Sequence, residues 1–426
     1  MKKKIAVEEL ELGMYVSGFD RPQLNSLPSF RGLHINSKAQ IDKLKRQCQY
    51  VYIDVPDDLP YPSTRHPPAG KWPPAKTADL EQQQGLDFEV LKLNPSLHNA
   101  TPRYHDTTEL EDEIRAVART YNELVAATKL LMEDARSARH VDTTNVTQVV
   151  SCMVDSIIRN PNALMCFGQL QNIADMTVRH SVHTCIFALT FGRHLGMGST
   201  ELSTLGIATL LHDVGKAKVP TEILNKPDRL TSEEYDVMQR HVRWGVEILS
   251  ESKGLSAAVI DGAGYHHERW NGSGYLRGLR KDQIPSYAQI IGIVDCYDSL
   301  ISQSSYREPI SAHTALQDIY DWRDSEFETL LVEHFIRCMG IYPIGTIVEL
   351  NTGDIGVVVT VNQVRRLKPH ITPVLMPDKS PYNSPKTIKL THQTTADGQP
   401  CEIDRVLEPG AYGIKPDNYM PLMLRN

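Results

Sequence analysis

The chain has 426 residues, 41% of them apolar and 23% charged, enough to bury a sizeable core in two or three domains. A formal net charge of -7 excludes a broad nucleic-acid or membrane-binding surface, while a local basic pocket for a small anion remains allowed. Cys48, Cys152, Cys166, Cys185, Cys296, Cys338 and Cys401 are scattered with no C-x-x-C pair, which reads as reduced thiols of a cytoplasmic protein. The start, MKKKIAVEEL, meets Glu8 and Glu9 before an apolar core develops, so no secretory signal is expected, and no run reaches the length of a membrane span.

Residues 1–56 read as a small α/β unit. A strand is expected to end near Val16, Ser37 and Gln40 form a capping box for a helix with Ile41, Leu44 and Cys48 on one face, and Tyr50–Val55 is a strand. Seven prolines between Pro56 and Pro74 make residues 57–108 a linker. Over 109–140 a connecting helix is expected, with Ile114, Val117, Tyr121, Leu124, Thr128 and Leu131 in a narrow seam of three- and four-residue steps. That seam fits either a coiled-coil homodimer or packing against the body that follows, and the threonine inside it favours packing.

Residues 141–340 read as helices throughout. Thr177–Leu195 is apolar around much of its circumference (Val182, Ile186, Leu189, Phe191), hence buried, yet it carries His180 and His183. His180 is expected to face a site and His183 to be a satisfied core histidine. The next helix, Glu201–His212, ends in HDVGK. Adjacent histidine and carboxylate cannot share one helix face, so His212 and Asp213 converge only where a helix stops or where two metals lie side by side. Gly215 permits a tight turn there, and Lys216 sets a point charge beside any anion held.

Thr231 and Glu234 form a capping box for a helix whose inner stripe is Met238, His241/Val242, Gly245 and Ile248/Leu249. A buried His241 needs a hydrogen bond or a metal. His266-His267-Glu268 then precedes RWNGSGYLRGL, in which Gly272, Gly274 and Gly278 can bring backbone close to a ligand. The apolar helix Pro285–Ser302 holds two aspartates. Buried carboxylates are costly without donors or a cation, so Asp295 is expected to be a ligand and Asp298, one turn on, either an orienting group or a cap to nearby loops. Residues 341–426 form a β-rich tail that opens with a hairpin, Tyr342–Asn362, turning at Asn351-Thr352-Gly353-Asp354.

Taken together, HS at 180, HD-x-GK at 212, H at 241, HHE with NGSGY-x-x-GL at 266 to 279 and D-x-YD-x-L at 295 to 300 resemble the HD-GYP family, over about Val141–Arg307. The resemblance implies a mainly α fold, with an all-helical HD-superfamily catalytic domain, a small N-terminal α/β domain of unknown role and a C-terminal β-rich tail. It implies a cyclic-dinucleotide phosphodiesterase, acting chiefly on cyclic di-GMP at a two- or three-metal site. By that likeness His180, His212, Asp213, His241, His266, His267 and Asp295 are metal ligands, with Asp213 bridging. Asp213 and Lys216 are then catalytic, and Lys216, Gly274, Tyr275 and Arg307 meet the substrate. Five histidines and two carboxylates without a thiolate suit two divalent ions such as iron or manganese. GGDEF-type or other signalling proteins are candidate partners, alongside a homodimer, and no nucleic-acid polymer is expected.

Three positions depart from the pattern. Gly274-Tyr275-Leu276 stands where the family has Gly-Tyr-Pro, Ser304 stands where an arginine contacts phosphate, and Met176 occupies the place of a glutamate that binds a third metal. A thioether does not replace an anionic ligand to a hard cation, so two metals are expected. Two alternatives stay open: a 3′,3′-cyclic GMP-AMP phosphodiesterase, and a protein that binds cyclic dinucleotides without turnover.

Overall fold

The computed structural model describes residues 2–6, 15–19, 33–34, 50–54, 104–137, 143–170, 173–302, 309–362, 365, 367–395 and 397–419, the first four segments as backbone alone. These fall into two units. The N-terminal one is an antiparallel sheet of β1 (Lys2–Ala6), β2 (Tyr15–Phe19), β3 (Leu33–His34) and β4 (Tyr50–Asp54) in the order β1-β4-β2-β3. The expected strand ending near Val16 is corrected here to two strands, one over 2–6 and one that begins at Tyr15. Both pair with β4, Lys2 opposite Asp54 and Phe19 opposite Val51, and pairing across that sequence distance leaves no local signal. The helix expected after Ser37 and the proline-rich linker lie outside the described residues.

The second unit begins with α1 (Leu110–Arg136), and its seam is buried throughout, from Ile114 to Leu131. It packs against α2 (Thr144–Arg159), α3 (Pro161–Leu170) and α4 (Met176–His194), so packing rather than a coiled coil explains the seam. Glu113, at the start of α1, takes a two-pronged ion pair from Arg159 at the end of α2, at 2.7 and 2.8 Å. Asp175 caps α4 by accepting from the backbone N–H of Thr177 and Val178.

Helix α4 is the axis of the core. Val182, Cys185, Ile186, Leu189 and Phe191 are fully buried, because α1, α5 (Ser199–Leu211), α9 (Ser286–Ile301) and α11 (Thr329–Met339) surround it. Each buried Val, Leu, Ile or Phe contributes roughly 1.5–3 kcal/mol relative to exposure. After α5 comes a 3-10 turn (Val214–Lys218), then α6 (Thr221–Leu224), α7 (Ser232–Glu251), α8 (Ala257–Gly264), α9, α10 (Ala312–Asp321) and α11. The capping box that opens α7 is present: Thr231 Oγ1 accepts from Glu234 N, and Glu234 Oε2 accepts from Thr231 N.

The tail is a five-stranded antiparallel sheet in the order β8-β7-β6-β5-β9, built from β5 (Ile347–Leu350), β6 (Ile355–Thr360), β7 (His370–Leu375), β8 (Ile388–Lys389) and β9 (Ile403–Leu407). The expected hairpin is β5–β6, and Gly353 in its turn adopts φ +85°, a conformation that favours glycine. Alternate residues of β6 enter two cores, Val358 beside Val348 and Ile371, and Ile355 and Val357 beside Ile347 and Val374. Among the described residues no helix is long and apolar enough to cross a membrane.

Candidate metal centre

The residues singled out in the sequence come from five helices and the 3-10 turn that follows one of them, and they meet at one place. His180 stands on α4, His212 caps the end of α5, Asp213 leads into the 3-10 turn, His241 stands on α7, His266 and His267 follow α8, and Asp295 stands on α9. Two groups form in which every ligand atom lies within 4.8 Å of the others: His180, His212 and Asp213 in one, and His241, His266 and His267 in the other.

Asp213 joins them. Its Oδ2 lies 3.3 Å from His212 Nε2 and 3.6 Å from His180 Nε2, while its Oδ1 lies 3.3 Å from His241 Nε2. Asp295 spans the same gap, with Oδ1 2.9 Å from His180 Nε2 and Oδ2 4.0 Å from His267 Nδ1.

Three of the histidines are oriented by one device. The Nδ1–H of His212, His241 and His266 donates to the carbonyl oxygen three residues earlier, of Thr209, Met238 and Ala263, at 2.6, 2.7 and 2.6 Å. This fixes the tautomer and leaves each Nε2 lone pair aimed inward. Those three Nε2 atoms and Asp213 Oδ1 are buried without a hydrogen-bond partner. Unpaired buried polar atoms are expensive, and four converging on one point are the signature of a site that a cation completes.

Charge agrees. Asp213, Asp295 and Asp298 are buried together, with Lys216 and His180 as the cationic groups facing them. Burial works to raise the Asp213 carboxyl, but the neighbouring His212 and Lys216 hold it well below the usual carboxylate range. Asp295 is held low in the same way by His180. His266 and His267 are pushed well down, first by burial, so both stay neutral and able to donate a lone pair. His180 is the opposite case: burial lowers it, but carboxylates on both ring nitrogens raise it to about 10. Its Nε2, 2.9 Å from Asp295 Oδ1, is a position where a metal ion can take the place of a proton.

Asp298 and His183 were not expected as ligands, and they form an outer layer. Asp298 Oδ2 accepts from His180 Nδ1 at 2.6 Å, and Oδ1 accepts from Ser302 Oγ at 3.0 Å and lies 3.5 Å from His183 Nδ1. Asp298 thus orients His180, and it faces His183 Nδ1, whereas His183 Nε2 is buried without a hydrogen-bond partner, so His183 is not the satisfied core histidine expected.

Two glycines make the convergence possible. A Cβ at Gly215 would run into the carbonyl oxygen of His241 and lie 2.5 Å from Gly245 N, and one at Gly292 would lie 2.8 Å from the carbonyl oxygen of His266. Gly215→Ala is therefore expected to destabilise the body by about 1–3 kcal/mol and to separate Asp213 from His241. Thermal melting with metal titration checks this, and an unchanged melting temperature would contradict it.

The remaining expected residues are distributed around this centre. Lys216 Nζ donates to Asp213 Oδ2 at 2.5 Å. The Tyr275 ring stacks on His267, centroids 4.7 Å apart, and burial pushes its phenol well above its ordinary value, so it stays a neutral donor. Gly274 packs on backbone: a Cβ there would clash with Glu268, Arg269 and His267. Arg307 and Ser304 lie outside the described residues. Glu268, outside the expected set, is a buried residue that accepts hydrogen bonds from three main-chain N–H groups of the loop after Tyr275. The HHE run was its only local signal.

A helical body that sets a His-Asp pair at one helix end among histidines from its neighbours defines an HD-domain protein, and a family model described as HD domain matches residues 168–329. A model described as a domain of unknown function, DUF3391, matches residues 2–146. Over 411 residues the chain is 29% identical to a cyclic di-GMP phosphodiesterase of Pseudomonas aeruginosa, covering 96% of this chain and 92% of that one. It is 35% identical over 158 residues to a 3′3′-cGAMP-specific phosphodiesterase of Vibrio cholerae, covering 37% of this chain and 30% of the relative. A cyclic di-GMP phosphodiesterase response regulator of Xanthomonas campestris is 38% identical over 146 residues, 34% of this chain and 38% of that one. Among solved structures, an HDG"Y"P protein from Bdellovibrio bacteriovorus covers 79% of this chain and 98% of its own at 15% identity, with a TM-score of 0.45. The chain carries an HD domain over residues 168–329 and is similar there to these cyclic-dinucleotide phosphodiesterases.

Proposed function

We propose that this protein is a metal-dependent phosphodiesterase that hydrolyses cyclic di-GMP to the linear dinucleotide pGpG, holding two divalent transition metals per chain, iron or manganese. The observation that carries this reading is Asp213, whose two carboxylate oxygens address two different histidine sets. His180, His212 and Asp213 would hold one ion and His241, His266 and His267 the other, with Asp213 and Asp295 between them. Two such ions supply Lewis acidity that activates water and neutralises charge on the attacking and leaving oxygens.

The chain's own groups do the rest. Lys216, beside Asp213, offers an ammonium to the non-bridging oxygens of the scissile phosphate, where negative charge grows in the transition state. Tyr275, stacked on His267, carries a neutral phenol that can donate to a phosphate oxygen. Arg307 is the further phosphate contact in this reading. His180 keeps its orientation through Asp298, and with ring nitrogens committed in this way no side-chain nucleophile is required. A cytoplasmic location suits the substrate class and the free thiols of the described cysteines.

The Vibrio cholerae relative motivates a second substrate, 3′,3′-cyclic GMP-AMP. The test is incubation of iron- or manganese-loaded protein with both cyclic dinucleotides, followed by chromatography. Hydrolysis of cyclic di-GMP is expected, and turnover of neither would overturn the reading in favour of a binding protein. The product is expected to stop at the linear dinucleotide. Met176, one helical turn before His180 and 41% exposed, offers only a thioether where a third cation would need a carboxylate. Rapid release of GMP without a linear intermediate would refute this.

A further inference from the structure

The HHE run and the loop that follows it are tied by one side chain. Glu268 is 4% exposed, and its carboxylate accepts from three main-chain N–H groups: Leu276 at 3.1 Å and Arg277 at 2.6 Å on Oε1, and Leu279 at 2.8 Å on Oε2. The loop is tied back a second time where Tyr275 N donates to His267 O at 3.2 Å, and Gly274 packs so tightly on residues 267–269 that no side chain fits. Between these ties the Tyr275 ring lies on His267, tilted by only 26°.

Position 276 gives this tie its particular form. A proline there has no N–H to donate, so the bond from Leu276 to Glu268 exists only because this chain departs from Gly-Tyr-Pro. Leu276 is itself 40% exposed, so its side chain is not what the core requires of it. The backbone amide is the part engaged. A rigid φ has been exchanged for a third charge-assisted hydrogen bond.

We propose that Glu268 is a positioning residue, a carboxylate latch that holds the 275–279 loop so that Tyr275 stays stacked on His267, and that the Leu276 amide replaces proline as the stiffening element. The latch acts through Tyr275 and His267 and touches no substrate. Only its kinetic consequence rests on the phosphodiesterase reading.

Amide hydrogen exchange on the purified metal-loaded protein reads the latch directly. In Glu268→Gln, which keeps the volume but loses the charge and one acceptor, peptides covering 275–280 should exchange about tenfold faster or more, with α4 and α9 unchanged. The kinetic readout is a split: KM for cyclic di-GMP should rise several-fold more than kcat falls, because a loosened Tyr275 weakens substrate placement while the ions remain. Leu276→Pro returns the fixed φ while deleting one of the three bonds, so it should leave exchange over 277–280 near the natural level and, combined with Glu268→Gln, recover part of the lost protection. Glu268→Asp, which keeps the charge but falls short of the loop, keeps the test alive if Glu268→Gln does not fold and should raise exchange and KM in the same direction. Unchanged exchange over 275–280 in both Glu268 variants, or no recovery on adding Leu276→Pro, would overturn the latch. Failure of the phosphodiesterase reading is distinguishable, because an inactive natural protein would still show the exchange response.

Discussion

Asp213→Ala is expected to abolish hydrolysis of cyclic di-GMP and to lower the metal content from about two ions per chain to less than one. The carboxylate lies close to both histidine sets, with Oδ2 3.3 Å from His212 Nε2 and Oδ1 3.3 Å from His241 Nε2. Its loss would leave three buried Nε2 atoms and the Lys216 ammonium facing each other without the anion that reconciles them. Removing a mere outer-layer partner from a metal site typically costs about 10–100-fold, so deleting the shared ligand should exceed the upper end of that range. His212→Ala should behave alike, while His183→Ala, whose ring reaches the centre only through Asp298 at 3.5 Å, should retain its metal. Elemental analysis of anaerobically purified variants, paired with the hydrolysis assay, decides the matter. Equal metal loss in all three would show that the ligand assignment on α4 is wrong.

Asp298→Asn should produce the second-largest effect, although Asp298 belongs to neither ligand group. Its carboxylate is fully buried and accepts from His180 Nδ1 at 2.6 Å, which fixes the ring plane and makes Nε2 the atom that faces Asp295 and Asp213. An amide of the same shape keeps the packing and loses the charge. Metal affinity or kcat is expected to fall about 10–100-fold, with circular dichroism unchanged. Asp298→Ala goes further, because it also strips His183 and Ser302 of their partner, and a loss of about 3–5 kcal/mol of stability is expected where a buried charge is left unpaired. Chemical denaturation separates the two variants. If Asp298→Asn bound metal and turned over substrate as the natural protein does, Asp298 would be packing material and no more.

Both predictions depend on groups whose chemical types were legible in the chain. Histidine and aspartate on otherwise apolar helices are costly unless something satisfies them, and that cost singled out His180, His241 and Asp295 before any contact was known. The helix that ends at His212-Asp213, the capping box at Thr231, the seam of α1 and the hairpin turn at Gly353 were likewise readable, because each is set by local periodicity or by one residue's backbone freedom. The sequence by itself therefore determined the helical class of the body, its β-rich tail and the inventory of candidate ligands.

What only the tertiary structure decided is distance between residues far apart in the chain. His180 and Asp298 are separated by 118 positions and meet at 2.6 Å because α4 and α9 pack side by side in one core. Gly215 looked like a turn former, whereas its missing side chain lets the turn press on α7 and bring His241 to Asp213. Glu268 looked like the tail of a histidine pair, and its three amide partners lie 8, 9 and 11 residues further along a loop without periodicity. The two N-terminal strands read as one for the same reason, since their shared partner β4 is more than thirty residues away. Residue type carries the energetic need of a group, and only the packed chain supplies the partner that meets it.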